Sequence, residues 1–394
     1  MPNKQTGTSL ELPAGRRVGY ALGGLGGTNG HGVGFLIAAL KMRGEPNIIS
    51  CTSGMIVWVW RWMELKKKVQ EKYLTNAQAA TELETEFRTE VERIKALRLP
   101  CSQISVTPTM FWGIPGIFRP AYFENFMNFL SVPWLCSIEE WLSRLYPSRL
   151  FIPERSEKIF EEITNAFNEW PDPVMFNSYS PRDGIEYLHM NEPARQIFER
   201  RKTQRRLVVP ETLATRDLKR RQHLPTVKPA SIDKEAVRDA LWLTLYGFGS
   251  PHQEQERIDG AYVRQFILTE MSEADILFIP RPQGAVWQGP LPTNLFEVRD
   301  FETELWFNAS YREQMARIEF INRLIANGTL ATGSGYSETI LAPVEIEVQR
   351  GFFTYFMEDL SVLRAAVRQS LQMFEIYCGG TAEVNIADRH ASAL

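Results

Sequence analysis

The 394-residue chain lacks the features that would point to a membrane span, a metal site or a nucleic acid. Its four cysteines form no CxxC pair and no metal-ligand spacing, so we expect reduced thiols and neither a metal nor another cofactor. No apolar run approaches the roughly 20 residues of a membrane span. Lysine and arginine (44) nearly balance aspartate and glutamate (47), which gives no general attraction to nucleic acid. These absences favour a cytoplasmic globular protein.

Internal repeats and low-complexity tracts are missing as well. Residues 1–15 are polar, so we expect a flexible N-terminus with neither a signal peptide nor a membrane helix. The chain is instead rich in aromatic residues, with 10 Trp and 23 Phe, many of them between residues 100 and 153. The prolines that interrupt this aromatic segment indicate a cap or lid set apart from the main domain.

The first third of the chain alternates between strand-like and helix-like segments. Residues 17–22 and 47–51 are short and apolar, as buried strands are. Residues 35–42 and 55–62 carry the apolar faces of helices. This βαβα opening predicts an α/β fold with a mainly parallel sheet and helices on both faces, in three α/β/α layers.

The rest of the chain adds fewer signals. Residues 64–97 are charged and predict one or two solvated helices, and further strands are predicted at 173–178 and 275–280. The basic stretch 195–228 is interpreted as a solvated loop in preference to a surface for anionic headgroups. Residues 291–394 are mostly helical in pattern, which predicts a helical C-terminal extension packed on the core or used for self-association.

One serine stands at a turn between a buried strand and a helix. On such a turn Ser53 would project its hydroxyl outward, and the following amide, that of Gly54, would face a developing oxyanion. The alternative is an ordinary loop in which Ser53 only caps the helix. The strict GxSxG pattern is absent, because Cys51 and Met55 stand at the outer glycine positions, and methionine is the harder of the two to accommodate.

A glycine-dense loop joins the first strand to the first helix. Residues 23–34 hold seven glycines in twelve positions, which allows close backbone approach to a ligand and an anion-binding nest of amides. No GxGxxG frame fits, because Asn29 stands where its last glycine should be, and no Gly-Lys follows, which excludes a Walker-type loop. Tight strand–helix packing is the alternative use of these glycines. His31 is interpreted as a structural residue in preference to a catalytic base.

Two Asp-Gly pairs compete for the role of a base. Asp259 is followed by Gly260 and Ala261 and precedes an apolar strand. Asp183 also precedes a glycine, but Asp-Gly pairs are common in turns, and we interpret Asp183 as a turn residue. Asp259 is therefore the Asp-Gly aspartate of interest, and its role as a base is what the family resemblance implies.

The glycine loop, the serine turn and the Asp-Gly-Ala sequence together resemble the patatin-like phospholipase family. The resemblance covers roughly residues 16–280, and it implies a patatin-like three-layer α/β/α domain over residues 16–290. It also implies that Ser53 is the nucleophile and Asp259 its base. The implied oxyanion hole consists of the backbone amides of Gly23, Gly24, Gly26, Gly27 and Gly54.

The resemblance implies a serine acyl hydrolase that cleaves carboxylic esters of lipids without a metal or cofactor. The aromatic cap at about residues 100–153 would then form an acyl-chain channel or touch a lipid surface from outside. Plain packing of a capping subdomain explains it equally well. The expected partners are a lipid or acyl-ester substrate, a membrane contacted peripherally and a second copy of the chain, with no nucleic acid.

The sequence departs from the family pattern at two places. The family usually carries Arg or Lys inside the oxyanion loop, where Thr28 and Asn29 stand here, and Met55 replaces the second glycine of the serine turn. Two alternatives therefore stay open. One is an acyltransferase or thioesterase on the same scaffold, and the other is a catalytically inactive patatin-like binding or scaffold module.

Overall fold

The structure is a computed structural model in which most of the chain is described. The described residues are 16–24, 29–96, 118–131, 137–145, 149–204, 226–248, 257–271, 273–281, 291–293, 295–330, 336–346 and 360–378. The predicted oxyanion donors Gly26 and Gly27 lie outside these residues, as do Thr28, residues 1–15 at the N-terminus, the first part of the predicted cap and most of the basic stretch.

One mixed, mainly parallel sheet forms the centre of the fold. The strands, in chain order, are β1 (Val18–Leu22), β2 (Ile48–Cys51), β3 (Phe118–Pro120), β4 (Phe151–Pro153), β5 (Val174–Ser180), β6 (Ile185–Met190), β7 (Thr226–Ser231), β8 (Ile258–Asp259), β9 (Ile276–Arg281) and β10 (Ile340–Glu345). The central sheet has the order β10-β9-β1-β2-β5-β6-β7, with β8 paired to β5. Among the described residues, the β5–β6 and β5–β8 pairs are antiparallel in it and the other pairs are parallel. The remaining strands, β3 and β4, form a separate antiparallel pair.

Helices cover both faces of the central sheet. They are α1 (Gly30–Met42), α2 (Met55–Gln70), α3 (Asn76–Ala96), α4 (Tyr122–Leu130), α5 (Ile138–Leu145), α6 (Glu157–Glu169), α7 (Glu192–Gln204), α8 (Lys234–Ala240), α9 (Leu295–Ala326) and α10 (Leu360–Cys378). Buried side chains of α1, α2, α3, α6, α8 and α10 form the core on one face. Residues of α7 and α9 and the segment around Phe266 form the core on the other face. The fold is therefore α/β, consistent with three α/β/α layers.

The strands divide their side chains between these two cores because successive residues of a strand point to opposite faces. In β9, Ile276 and Phe278 belong to the first core, whereas Leu277 and Ile279 belong to the second. Strands that are buried on both faces read as continuous apolar runs, which is why the sequence predicted them. The predicted strands at 17–22, 47–51, 173–178 and 275–280 all appear, with ends shifted by one or two residues.

The C-terminal part differs from the helical extension that its sequence pattern suggested. Residues after 290 supply two helices and also β10, which extends the sheet parallel to β9. A strand of six residues that contains a proline gives a weak signal, and Pro343 is tolerated because β10 lies at the sheet edge. The last helix, α10, packs closely on α1, where Gly34 leaves room for Ala366. The extension is thus part of the sheet and its cover.

The described part of the aromatic cap is a small unit beside the sheet. The β3–β4 pair contributes Phe118 and Phe151, which pack against Trp242, Tyr246 and Ile258. Helices α4 and α5 lie between β3 and β4 in the chain and bury none of their residues. Ile258, against which this unit packs, directly precedes Asp259 in the chain. The cap therefore contacts the protein next to the predicted catalytic aspartate. Within the described residues, no helix is both long enough and apolar enough to cross a bilayer.

Candidate active site

Ser53 lies at a strained turn between β2 and α2. Its backbone φ is 52°, in the left-handed region that a residue with a side chain rarely adopts. Such a conformation costs about 1–3 kcal/mol and persists only where the surrounding structure enforces it. The strain is expected of a nucleophile turn, where a sharp bend lifts the serine out of the strand. The side chain of Ser53 is nevertheless buried, at 3% exposure.

Asp259 reaches the same place from the far end of the domain. It ends the two-residue strand β8, opposite Ser178 of β5. Its backbone N–H donates to the carbonyl of Trp242 at 3.0 Å. Its carboxylate lies close enough to the Ser53 hydroxyl for that group to lower its pKa, and it accepts a hydrogen bond from the Ala261 N–H at 2.9 Å. The structure therefore brings the two predicted catalytic residues together across 206 positions of the chain.

The environment of Asp259 makes it a better base than an exposed aspartate. Burial raises the pKa of its carboxyl from 3.8 to about 7, and the interactions with Ser53 and Ala261 offset only part of that effect. A general base works best when its pKa lies near the working pH. The neighbouring thiol of Cys51 is held neutral because burial raises its pKa, so this cysteine does not compete as a nucleophile.

Met55, the unusual residue of the serine turn, fits because a glycine of α1 makes room for it. A Cβ placed on Gly32 would lie 2.4 Å from the sulfur of Met55. The Met55 side chain is fully buried there. The absence of a side chain at Gly32 therefore makes room for Met55 and keeps the turn closely packed against the first helix.

The glycine-dense segment is a shorter loop than its sequence suggested. Helix α1 begins at Gly30, four residues before the end of the predicted loop, so Gly30, Gly32 and Gly34 are helical. Gly32 and Gly34 allow tight packing of α1 against its neighbours, which was the alternative explanation for the glycines. His31 also lies in α1, where its Nε2 bonds to the Gly23 carbonyl oxygen at 2.7 Å. His31 thereby ties the loop to the helix, as the structural interpretation predicted.

The described part of the loop lies against the serine turn. A Cβ on Gly24 would be 2.7 Å from the Cβ of Ser53 and 2.9 Å from the amide nitrogen of Gly54. Gly54 directly precedes α2, so its N–H belongs to the helix N-terminus, where negative charge is stabilised. The Gly24 N–H donates to Thr52 Oγ1 at 3.0 Å. That the amides of Gly23, Gly24 or Gly54 donate to an oxyanion stays a prediction. The Gly24 N–H could do so only if it gave up its bond to Thr52.

The sequence analysis missed two residues that hold this arrangement together. Thr52 accepts from Gly24 and donates from its hydroxyl to the Gln265 carbonyl at 2.7 Å. Gln265 in turn donates from its side chain to the Gly24 carbonyl at 3.3 Å. Thr52 stands next to the serine, but its partners are 28 and 213 positions away, so no local pattern reveals its role.

Asp183 is a turn residue, as the sequence predicted. It lies in the exposed tight turn between β5 and β6, where it accepts a hydrogen bond from the Ser180 hydroxyl at 3.0 Å. The next residue, Gly184, has a φ of 66°, which glycine adopts without strain. This turn is separate from the Ser53–Asp259 pair.

Replacement of Gly24 by alanine tests whether the loop must lie against the serine turn. The new Cβ would stand 2.3 Å from the Thr52 carbonyl oxygen, so backbone must move and both the serine and the loop amides shift. We expect Gly24→Ala to slow acylation of Ser53 by about 10²-fold, the effect of a misplacement of 1 Å. The rate of labelling by a fluorophosphonate, which reacts with an activated serine, measures this. Gly184→Asn is the control, because asparagine tolerates a positive φ and no atom lies within 4 Å of a Cβ there. Equal labelling rates for both variants would contradict the prediction.

The remaining chemistry of the site is limited by its residues. Among the described residues, no three side chains of the His, Cys, Asp and Glu types come together as a metal-ligand set. The dyad of Ser53 and Asp259 can act without one, since an aspartate can accept the serine proton directly.

No protein-family model matches the chain, and no curated protein has a significantly similar sequence.

Proposed function

We propose that this protein is a serine acyl hydrolase of the patatin-like type, which cleaves carboxylic esters of lipids through a Ser–Asp dyad. One observation carries the proposal: Ser53, strained at a strand–helix turn, lies beside the buried carboxylate of Asp259 and lowers its pKa. A parallel sheet with helices on both faces and a glycine-bearing loop beside the turn support a patatin-like fold. A cytoplasmic enzyme that meets lipid from outside is part of the same proposal.

The reaction follows from the positions of these groups. Ser53 Oγ attacks the ester carbonyl while its proton passes to Asp259 Oδ, and the carbonyl oxygen becomes an oxyanion beside the Gly54 amide and the N-terminus of α2. Collapse of this intermediate breaks the ester bond, and the leaving alcohol takes the proton from Asp259. A water molecule then attacks the acyl-serine, with Asp259 again accepting a proton, and releases the carboxylic acid and the free Ser53 hydroxyl.

The exposed apolar side chains of the cap support the proposal of a lipid substrate. Helices α4 and α5 each carry an apolar stripe that faces solvent. The stripe residues are Tyr122, Phe123, Phe126, Met127 and Leu130 of α4, and Ile138, Trp141, Leu142 and Leu145 of α5. A contiguous exposed apolar patch of this kind marks a surface that contacts a partner or a membrane. Aromatic side chains on amphipathic helices suit the boundary between headgroups and acyl chains.

We therefore expect the cap to matter only for aggregated substrates. Phe123 and Phe126 are 73% and 57% exposed, and burial of each in lipid is worth about 1.5–3 kcal/mol. The double variant Phe123→Ser/Phe126→Ser should lose about 10-fold or more in turnover of a long-chain ester presented in vesicles, since 1.4 kcal/mol is tenfold in binding. Turnover of a short, monomeric ester should stay the same.

The control for the cap variant is Tyr73→Ser, which removes another aromatic residue at 76% exposure outside the cap. Kinetics of both variants on both substrates, together with vesicle co-sedimentation, separate the two effects. An equal loss on the monomeric and the vesicle substrate would point to a folding defect. No loss on either would remove the cap from the argument for a lipid substrate.

Transfer of the acyl group to an alcohol is the second candidate. The observation in its favour is the burial of both catalytic side chains, at 3% for Ser53 and 1% for Asp259, because a buried acyl-serine is shielded from bulk water. Addition of glycerol or a lysophospholipid to the ester assay tests this: formation of a new ester at the expense of free acid indicates transfer.

The proposal as a whole is tested with the purified protein, a fluorophosphonate probe and a panel of acyl esters from short to long chain. We expect labelling of a single serine, confirmed by peptide mass spectrometry at Ser53, and turnover of at least one ester. Absence of labelling together with absence of turnover across the panel would reject the enzyme and leave the scaffold module.

A further inference from the structure

The segment that carries Asp259 has little regular structure of its own. Strand β8 has only two residues, and the chain then turns through a single 3₁₀ turn, Gly260–Tyr262. Six positions after Asp259, Gln265 accepts a hydrogen bond from the Thr52 hydroxyl and donates one to the Gly24 carbonyl. Both of these partners lie beside Ser53. Residues 259–265 thus connect the base to the predicted oxyanion loop, and something other than sheet pairing must hold them in place.

Asn177 of β5 supports this segment from the sheet. Its side chain lies directly against Gly260, where a Cβ would be 2.2 Å from the amide carbon of Asn177. The Asn177 Nδ2 donates to the carbonyls of Gly260 and Arg264, each at 3.3 Å. Asn177 itself is fully buried. Both ends of the turn are therefore bound by one side chain, and the glycine after Asp259 is required because that side chain occupies the space.

A buried ionic cluster fixes Asn177 and Arg264 in turn. Glu186 Oε1 accepts from Asn177 Nδ2 at 2.8 Å and from Arg264 Nε and Nη2 at 3.1 and 2.9 Å. Arg264 Nη1 donates to Glu270 Oε2 at 2.7 Å and to the Thr269 hydroxyl at 3.2 Å. Glu186 and Arg264 are 6% and 9% exposed. Each nitrogen of the guanidinium is thus bound to a partner, either on β6 or on the 3₁₀ turn Thr269–Met271.

Stability alone does not explain such a cluster. A buried ion pair costs several kcal/mol of desolvation per ion and is often no better for stability than apolar residues of the same volume. Its planar, bidentate geometry does determine where the chain runs. The Arg264–Glu186–Asn177 cluster meets the chain at Gly260 and at Arg264, the residues next to Asp259 and to Gln265.

We propose that Arg264, Glu186 and Asn177 are positioning residues for the reaction, which hold residues 259–265 so that Asp259 meets Ser53 and Gln265 meets the glycine loop. This inference rests on the proposed function and deepens it. None of the three touches the reacting atoms. Their effect is on the placement of the base, so it belongs to the chemical step and not to substrate binding.

The experiment compares Arg264→Met with Arg281→Met. Arg281 is a matched control: it is a buried arginine of β9, bonded to Glu345 at 3.1 Å and to Asn308 at 2.5 Å, and β1 and β2 separate its strand from β5. Both substitutions remove a buried guanidinium and should lower Tm comparably. Only Arg264→Met should lower kcat for a short ester, by about 10- to 100-fold with little change in KM, the effect of displacing a catalytic group by up to 1 Å. Glu186→Gln keeps an acceptor oxygen and should be the milder change.

Hydrogen exchange gives a second measurement that needs no turnover. Amides of residues 258–264 should lose protection in Arg264→Met, and those of β1 should not. In Arg281→Met the 258–264 amides should stay protected. If kcat and the exchange of this segment are the same in both arginine variants, the inference is wrong. If the unmodified protein has no turnover but Arg264→Met still loosens this segment alone, the proposed function fails and the positional role stands.

Discussion

Replacement of Ser53 by alanine should lower kcat/KM for a short acyl ester by about 10⁴-fold or more, because a nucleophile and its base act as a unit. Fluorophosphonate labelling should disappear in the same variant. Alanine keeps the Cβ, so the turn at φ 52° and its strain remain, and the protein should fold normally. The loss is therefore one of chemistry and not of structure.

Ser50→Ala is the matched control for Ser53→Ala. Ser50 lies on β2, the strand that leads to Ser53, is also buried, and donates its hydroxyl to the Ile267 carbonyl at 3.0 Å. We expect Ser50→Ala to cost about 1 kcal/mol of stability with full labelling of Ser53. A third variant, Ser53→Gly, should be more stable than Ser53→Ala by about 1 kcal/mol, since glycine adopts a positive φ freely. Turnover that survives in Ser53→Ala would remove this residue as the nucleophile.

Replacement of Asp259 by asparagine should lower kcat by about 10³-fold, within the range for loss of a general base. The unmodified enzyme should show a kcat/KM that rises about tenfold per pH unit up to pH 7 and is level above it, because only the ionised carboxylate accepts the serine proton and its pKa is about 7. In Asp259→Asn, kcat/KM should no longer rise with pH in this way. A pH profile of both proteins on a neutral ester measures this.

The free energy of unfolding should fall over the pH range in which kcat/KM rises. The pKa of Asp259 is about 7 in the folded state against 3.8 for the free side chain, so between those values the folded protein binds the extra proton. Stability contributed by this group is therefore present at low pH and declines as pH rises towards 7. Asp259→Asn should remove that decline. Chemical denaturation at pH 5 and pH 8 tests the sign.

Asp239→Asn separates the two effects of a buried carboxyl. Burial also raises the pKa of Asp239 to about 7, even though the nearby Arg257 lowers it. Its substitution should change the pH dependence of stability as Asp259→Asn does, and should leave kcat and its rise with pH unchanged. A large loss of kcat in Asp239→Asn would mean that turnover follows stability and not the dyad.

The proximity of Ser53 and Asp259 could be predicted from the sequence because each residue stands in a local pattern. A serine between an apolar strand and a helix, and an Asp-Gly-Ala before another apolar strand, are short-range features that survive without knowledge of the fold. The closeness of Ser53 to Asp259 confirms that these two segments meet. The strands of the sheet were predictable for the same reason, since burial on both faces leaves them uniformly apolar.

The supporting residues could not be predicted, since their roles depend on partners distant in the chain. Thr52, Asn177 and Arg264 are ordinary polar residues until the sheet brings them beside Gly24, Gly260 and Glu186. The glycines of α1 misled the loop prediction because glycine needed for packing and glycine needed for a loop look the same in a sequence. Only the side chains opposite, Met55 and Ala366, distinguish the two uses.

The close fit of α10 on α1 has a consequence for how the protein is made. Phe374 stacks on Phe35 with ring centroids 5.3 Å apart, and Gly34 admits Ala366 at a distance that a larger residue would prevent. The helix that follows the glycine loop therefore lacks its cover until residues 360–378 have left the ribosome. Chains fold during synthesis from the N-terminal side, domain by domain. Here the segments that carry Ser53 and Asp259 are translated well before α10, the helix that covers α1, is available.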